Sequence, residues 1–303
     1  MNLLYFFERI RVPVLNEFML LITSFGEETA FLVIALILFW CVDKYVGYYT
    51  LSVGFVGTLT NQFLKLWFRI PRPWVLDENF TILEQAREAA SGYSFPSGHT
   101  QSAVGTFGSI ACTTKNRTIR ILAILIAVLV PISRMYIGVH TPLDVAVSIG
   151  IALLLVFALR PVVLKNREKL MPALLAVMLL LAAGYLCFVK FYRFPADIDH
   201  ENYTSGLENA FTLLGALVGM LVVYFVDEKW LNFKTDAVWW AQILKVVLGL
   251  LLVLLVKSGT KSLLNMLLGE YVGRSVRYCL VVLTAGILWP LSFCWFSKLG
   301  HKG

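Results

Sequence analysis

Charge is scarce in this sequence. Lys, Arg, Asp and Glu make up 15% of the 303 residues, against about a quarter in a soluble globular domain. With 58% hydrophobic residues beside them, that shortage excludes an ordinary water-soluble fold and makes lipid the solvent. Cysteine is sparse as well. Cys41, Cys112, Cys187, Cys279 and Cys294 each lie in or beside an apolar run, with no CxxC pair and no histidine at ligand spacing. Thiols so placed read as packed membrane residues and give no metal site. The net charge of +7 is not gathered into a basic stripe, so no nucleic-acid partner is expected. On a membrane protein such an excess signals inside-positive loops and anionic headgroups. A cleavable leader is not expected, because Glu8, Arg9 and Arg11 interrupt the first apolar residues. Residues 2–20 read as an interfacial amphipathic helix instead. There is no linker, low-complexity tract or internal repeat.

What is present is length of apolar run. A spanning helix needs about 20 largely apolar residues. Residues 45–64, 170–189 and 278–297 meet that length, 209–226 nearly does, and 29–42, 100–114, 121–133 and 145–159 are shorter. Residues 237–256 add one more, with Lys245 inside. The expectation is an all-α, polytopic membrane bundle of about nine spans, since only helices or closed barrels cross lipid and runs this long exclude a barrel. Three regions follow: an interfacial segment (1–27), a core (28–160) and additional transmembrane helices (161–303). The short connections holding Lys115, Arg117 and Arg120, then Arg160, Lys165, Arg167 and Lys169, should face the cytoplasm. The connections at 65–99 and 134–144 then face outward, as do Asp197, Asp199, His200 and Glu201. The C-terminus, with Lys298 and Lys302, lies inside.

Histidine is rarer than any charge, four in the whole chain, and two of them fall in the outward-facing connections. Around His99 and His140 gather Lys65, Arg72, Ser97, Gly98, Arg134 and Asp144, all at expected span ends on one side. Lys65 and Arg72 are two helical turns apart and can share a face, with Pro71 and Pro73 ending the helix. Taken alone they are also consistent with snorkelling cations. Ser97-Gly98-His99 opens a helix, where free backbone N–H groups favour an anion and glycine admits close approach. A plain N-cap turn is the simpler alternative. His99 can give a proton to a leaving group. Thr141 and Pro142 start another helix. Asp144 either completes that cap or accepts a hydrogen bond from His140, which would leave the other ring nitrogen free to attack. Arg134 offers a planar fork for phosphate oxygens. Charges beside lipid are costly without a purpose, and these converge on an oxyanion.

Lys65-x6-Arg72-Pro73, Pro96-Ser97-Gly98-His99 and Ser133-Arg134-x5-His140-x3-Asp144 together resemble the type 2 phosphatidic acid phosphatase superfamily. That superfamily includes lipid phosphate phosphatases, undecaprenyl-diphosphate phosphatases, glucose-6-phosphatases and vanadium haloperoxidases. The resemblance implies that His140 is the nucleophile forming a phosphohistidine, oriented by Asp144. It implies that His99 protonates the leaving oxygen and then helps water attack. Lys65, Arg72, Ser97, the Gly98 N–H and Arg134 would hold the phosphoryl oxygens. Phosphoryl transfer needs mainly positioning and charge stabilisation, and three fixed cations can replace magnesium, so no metal and no cofactor is expected. Nine spans with an outward N-terminus, and the Trp74–Asp77 segment, are similar to the glucose-6-phosphatase branch.

The expected activity is therefore a membrane-embedded phosphatase for a lipid phosphate or diphosphate. Candidates are undecaprenyl diphosphate, phosphatidic acid and phosphatidylglycerol phosphate, the first narrowly preferred, in a bacterial cell membrane with the site facing outward. The partners are membrane lipids and that substrate. Alternatives are a sugar-phosphate phosphatase, haloperoxidase chemistry, and a transporter or non-catalytic phosphate binder. Three further features stand apart. Residues 79–90 form an amphipathic stretch with a Thr81/Glu84 capping box, a lid or a passive helix. Lys245 is a mid-span cation or a simple hydrogen-bond donor. The acidic loop at 197–201 is a divalent-ion site or a solvated turn.

Overall fold

The computed structural model describes residues 1–87, 90, 92–195 and 198–299. Its regular elements there are all helical. In chain order they are α1 (Asn2–Arg9), α2 (Pro13–Ser24), α3 (Glu28–Ile37), α4 (Lys44–Phe68), the single turn α5 (Pro73–Leu76), α6 (Gly98–Thr113), α7 (Arg117–Tyr136), α8 (Pro142–Leu164), α9 (Arg167–Phe191), α10 (His200–Val226), α11 (Trp239–Gly259), α12 (Lys261–Leu268), α13 (Glu270–Leu283) and α14 (Phe293–Phe296). Wider π-turns extend α3 to Val42, α10 to Leu231 and α13 to Leu288.

Among the described residues six helical stretches are long and apolar enough to cross a membrane, and seven if the bent pair Pro13–Ser24 and Glu28–Val42 is one span. The expected nine is not reached. The stretches that fall short are informative: α6 has 16 residues, and α4, though 25 residues long, carries Thr58, Asn61, Gln62 and Lys65 on a cavity wall. Polar wall residues lower the apolar content of the helices that bear them. On the six qualifying stretches, large apolar side chains are left facing outward. Leu154 on α8 is 67% exposed and Leu180 on α9 is 71% exposed, the pattern of a surface meeting lipid.

The chain divides into two compact units, one comprising Met1–Leu32, Tyr49–Arg160 and Phe194–Thr204, the other Val33–Tyr48, Pro161–Arg193 and Ser205–Gly303. In the first, α6 and α7 form an antiparallel pair, with α1 and α2 packed on α7. The N-terminal segment expected as one interfacial helix is two. The chain is extended at Val12, and Pro13 starts α2 at its first position, where its missing N–H is harmless. This segment is also bonded to the rest of the unit. Arg11 Nε and Nη2 donate to the Tyr136 carbonyl at 3.1 and 3.0 Å, and Nη1 donates to the Thr81 carbonyl at 2.8 Å.

The expected Thr81/Glu84 capping box does not form. Thr81 is engaged by Glu8, Glu84 pairs with Arg87 at 2.7 Å, and only a single turn (Glu84–Ala86) winds there, without a side-chain cap. Residues 88 and 89 of this stretch lie outside the described residues. In the acidic loop, Asp199 caps α10, accepting from Glu201 N at 3.1 Å and from Asn202. Asp197 and Lys302 lie outside the described residues. No group of three or more His, Cys, Asp and Glu able to hold a metal occurs among those described.

The second unit is organised around buried charge. Lys44 Nζ and Asp227 Oδ2 pair at 2.8 Å, and Lys44 also donates to Asn232 Oδ1 at 3.1 Å. Each desolvated ion thereby keeps its partner. Lys245 is fully buried. Its ammonium donates to the Thr235 carbonyl at 2.9 Å and lies 4.4 Å from the Phe293 ring centroid, which accounts for a cation at that depth. All five cysteines are free thiols.

Candidate functional site

The first unit builds its site where helix ends meet. α4 delivers Lys65 two residues before Trp67 and Phe68 end it, and Arg72 then stands at the N-cap of α5 in extended backbone. Ser97 caps α6, its hydroxyl accepting from Thr100 N at 3.4 Å. α7 ends with Arg134 in its last turn. The chain then turns through Gly138, whose φ of +89° is a backbone state that glycine enters without penalty, and reaches His140. At the start of α8 a reciprocal cap forms: Asp144 Oδ2 accepts from Thr141 N at 2.7 Å, and Thr141 Oγ1 accepts from Asp144 N at 3.2 Å. Backbone bonds tie these ends together. Ser94 N donates to Ile70 O at 2.8 Å, Ser97 N to Asp144 O at 3.3 Å, and Leu83 N to Ile137 O at 3.1 Å.

Lys65, Arg72, Gly98, His99, Arg134 and His140 line one cavity of about 250 Å³. The other two expected site residues, Ser97 and Asp144, stand behind its wall, the first capping α6 and the second below His140. Three basic side chains thus line one small space. Arg134 is only 2% exposed and Arg72 only 6%. Beside them, His140 and Asp144 stand within ion-pair distance, at 3.5 Å. Arg134 Nη1 donates to Thr23 Oγ1 at 2.7 Å, and its Nε has no hydrogen-bond partner among the described residues. Burial lowers the pKa of Arg72 to about 10, with Asp144 acting in the opposite sense, so the guanidinium remains charged at neutral pH. The first turn of α6 adds N–H groups that a helix cannot satisfy internally. An anion is the ligand this arrangement suits.

His140 is held at both nitrogens. Arg72 Nη1 lies 3.0 Å from Nε2. A guanidinium can only donate, so Nε2 carries the lone pair and the ring proton sits on Nδ1. That Nδ1 faces Ser94 Oγ at 3.4 Å and Asp144 Oδ2 at 3.5 Å, and Ser94 Oγ donates to Asp144 Oδ2 at 2.5 Å. Both readings of Asp144 therefore coexist: it caps α8 and stands next to His140. Burial first, and then Arg72, Arg134 and Lys65, hold His140 well below the ordinary imidazole range, so the ring is neutral.

Several contributors carry no signature in the sequence. Ser94 belongs to none of the patterns read there, and neither does Thr23. Gly92 and Tyr93 present carbonyls to Arg72 Nε at 2.8 Å and Lys65 Nζ at 2.7 Å. Tyr93 N in turn donates to Asn202 Oδ1 at 2.9 Å, so a residue far along the chain braces the first pattern. Asn61, Gln101 and Ser102 also stand on the cavity wall. They are uncharged polar residues inside helices, a common sight with no distinguishing period.

Comparison with known proteins agrees with this geometry. A family model described as "PAP2 superfamily" matches residues 44–168. A second, "PAP2 superfamily phosphatase, transmembrane extension", matches residues 211–302, a region that shows no recognisable pattern of its own. The chain is 34% identical to "Phosphatidylglycerophosphatase B" of Bacillus subtilis over 50% of this chain and 76% of that protein. It is 32% identical to "Undecaprenyl-diphosphatase BcrC" of the same organism, over 48% of this chain and 72% of that one. An "Undecaprenyl-diphosphatase" of Sulfolobus acidocaldarius is 33% identical over 45% and 64%. No solved structure matches. With Lys65, Arg72 and Arg134 on one cavity of its first unit and the family's transmembrane extension in its second, the chain belongs to the PAP2 superfamily and is an integral, multi-pass membrane phosphatase.

Proposed function

We propose that this protein hydrolyses a lipid phosphate or diphosphate through a phosphohistidine on His140. The observation that carries the reading is the convergence of Lys65, Arg72, Arg134, His99 and His140 on one cavity. The phosphoryl group docks among the three cations and the first N–H groups of α6, and Arg72 Nη1 moves from Nε2 of His140 to a phosphoryl oxygen. Nε2 then attacks phosphorus. The phosphorus–oxygen bond to the leaving group breaks, and His99, which takes up a proton as the phosphoryl anion offsets the surrounding cations, supplies the proton that the departing oxygen needs. Ser94 and Asp144 hold the Nδ1 proton and stabilise the charge that develops on the ring. A water next attacks the phosphorus, gives its proton to His99, and inorganic phosphate leaves with His140 restored. The cations stabilise the equatorial oxygens, the task on which phosphoryl transfer chiefly depends.

Lipid substrates are favoured by the names of the relatives, which cover phosphatidylglycerophosphate and undecaprenyl diphosphate. The placement proposed is a bacterial cell membrane with the site outward. In support, the connections with Lys115 and Arg117, and with Lys165 and Arg167, lie at the ends of α6, α7 and α8 remote from the site.

The test is phosphate release by purified protein in detergent, with prenyl diphosphates, glycerolipid phosphates and glucose 6-phosphate side by side. Release from a lipid phosphate, trapping of a phosphorylated protein at early times, and loss of both in His140→Ala are expected. Full activity in His140→Ala overturns the nucleophile. Exclusive turnover of glucose 6-phosphate overturns the lipid substrate.

A further inference from the structure

The cavity wall also holds polar groups that the phosphoryl mechanism leaves unused. Besides the cations it is lined by uncharged polar side chains of α4 and α6, among them Asn61, Gln101 and Ser102. Asn61 is 4% exposed and Gln101 is 5% exposed, yet Asn61 Nδ2, both polar atoms of the Gln101 carboxamide and Ser102 Oγ have no hydrogen-bond partner among the described residues. Buried amides without partners are rare because each forfeits the hydrogen bonds that water would give it. Their placement is supported by the backbone. A Cβ on Gly57 would come within 2.4 Å of Gln101 Nε2, so α4 has a notch that receives this carboxamide. An ideal Cβ on Gly98 would stand 3.9 Å from Asn61 Oδ1, which sets Asn61 against the helix start where the phosphoryl group docks. Gln101 and Ser102 follow His99 within one turn of α6, so the amides border the proton donor and hence the leaving group.

We infer that Asn61 and Gln101 form a hydroxyl-recognising subsite, and that the preferred substrate is a phosphomonoester whose leaving alcohol carries a further free hydroxyl, a glycerol or similar polyol. This rests on the proposed phosphatase reading and specifies its substrate class. Carboxamides both donate and accept, as a hydroxyl does. A second phosphate would ask for further cations, and the one remaining charged residue on the wall besides Lys65, Arg72 and Arg134 is the acidic Glu28. A hydrocarbon chain would leave the amides buried and unpaired.

The discriminating measurement uses the wild-type protein. kcat/KM is compared for a phosphomonoester of glycerol on a lipid headgroup and for its counterpart built on propane-1,3-diol, which lacks only the central hydroxyl. The same pair is run without lipid, as glycerol 3-phosphate and its deoxy analogue, to separate a lipid headgroup from a free polyol phosphate. A preference for the hydroxyl of at least about tenfold is expected, and in Gln101→Leu that ratio falls towards one. Equal rates for the wild type on hydroxyl and deoxy substrates overturn the subsite while leaving the phosphatase intact. A ratio unchanged in both Gln101→Leu and Asn61→Leu overturns the assignment of these residues. Absence of phosphate release from every substrate overturns the underlying reading instead.

Discussion

Replacing Ser94 by alanine isolates the part of the site that holds the proposed nucleophile, His140, without touching the cavity wall. Ser94 is fully buried, and its hydroxyl donates to Asp144 Oδ2 at 2.5 Å while facing His140 Nδ1 at 3.4 Å. Asp144 retains its bond from Thr141 N at 2.7 Å, so the cap of α8 survives the change. A hydrogen bond to a charged group contributes about 1.5–3 kcal/mol. If that energy orients the imidazole and supports its developing charge, its loss lowers kcat by roughly 10- to 100-fold. KM should stay within about threefold, because the phosphate ligands are not altered. The assay is initial-rate phosphate release in detergent, with thermal unfolding measured on the same samples. A merely structural serine would shift the unfolding temperature and leave the catalytic constant alone. A kcat within twofold of wild type would refute the positioning role.

Two further outcomes follow from the geometry. Gly98→Ala places a methyl group where the nearest protein atom is Asn61 Oδ1 at 3.9 Å, so folding is undisturbed and stability rises by up to about 1 kcal/mol. The methyl group enters the anion cavity, however, and kcat/KM should fall at least about tenfold; an undiminished value rules out close approach of the phosphoryl group there. His140 is held neutral in the folded protein, below the ordinary histidine pKa of about 6.5. The unfolded chain therefore binds the extra proton first. The associated stability is complete above about pH 6.5 and is lost as pH falls below it, by up to roughly 2 kcal/mol at pH 5. Unfolding temperatures measured between pH 8 and 5 check this, and His140→Gln should make that part of the profile shallower, leaving the like contribution of His99, whose pKa burial and the neighbouring cations lower to about 2.

Much of the site was legible because charge is conspicuous in an apolar chain. Lys65, Arg72, His99, Arg134 and His140 stood out against long uncharged runs, and their placement at span ends followed from helix length alone. Gly98 was legible from its place beside a helix start. Ser97 and Asp144 were found at the right place but behind the wall, since sequence spacing reports proximity and not which way a side chain faces. Ser94, Thr23, Asn61 and Gln101 were invisible for the opposite reason: serine, threonine and carboxamides carry no charge to stand out and follow no period here. The count of spans suffered from the same polarity. α4 and α6 give up apolar residues to furnish the cavity, and so two of the nine expected spans are not among the long apolar helices. Residues 79–90 misled through a local rule. Thr81 and Glu84 have capping-box spacing, but Glu8 and Arg87 satisfy those side chains better than a helix start would.

The contact between Arg72 and Nε2 of His140 has a consequence for the idle protein. An imidazole lone pair in a positively charged pocket would otherwise be open to stray electrophiles and adventitious metal ions. Here it is occupied by a donor that only a competing anion can draw away. On the proposed mechanism, the arriving phosphoryl group itself frees the nitrogen that will attack it, so reactivity appears when the right charge is in place and is withheld when it is not.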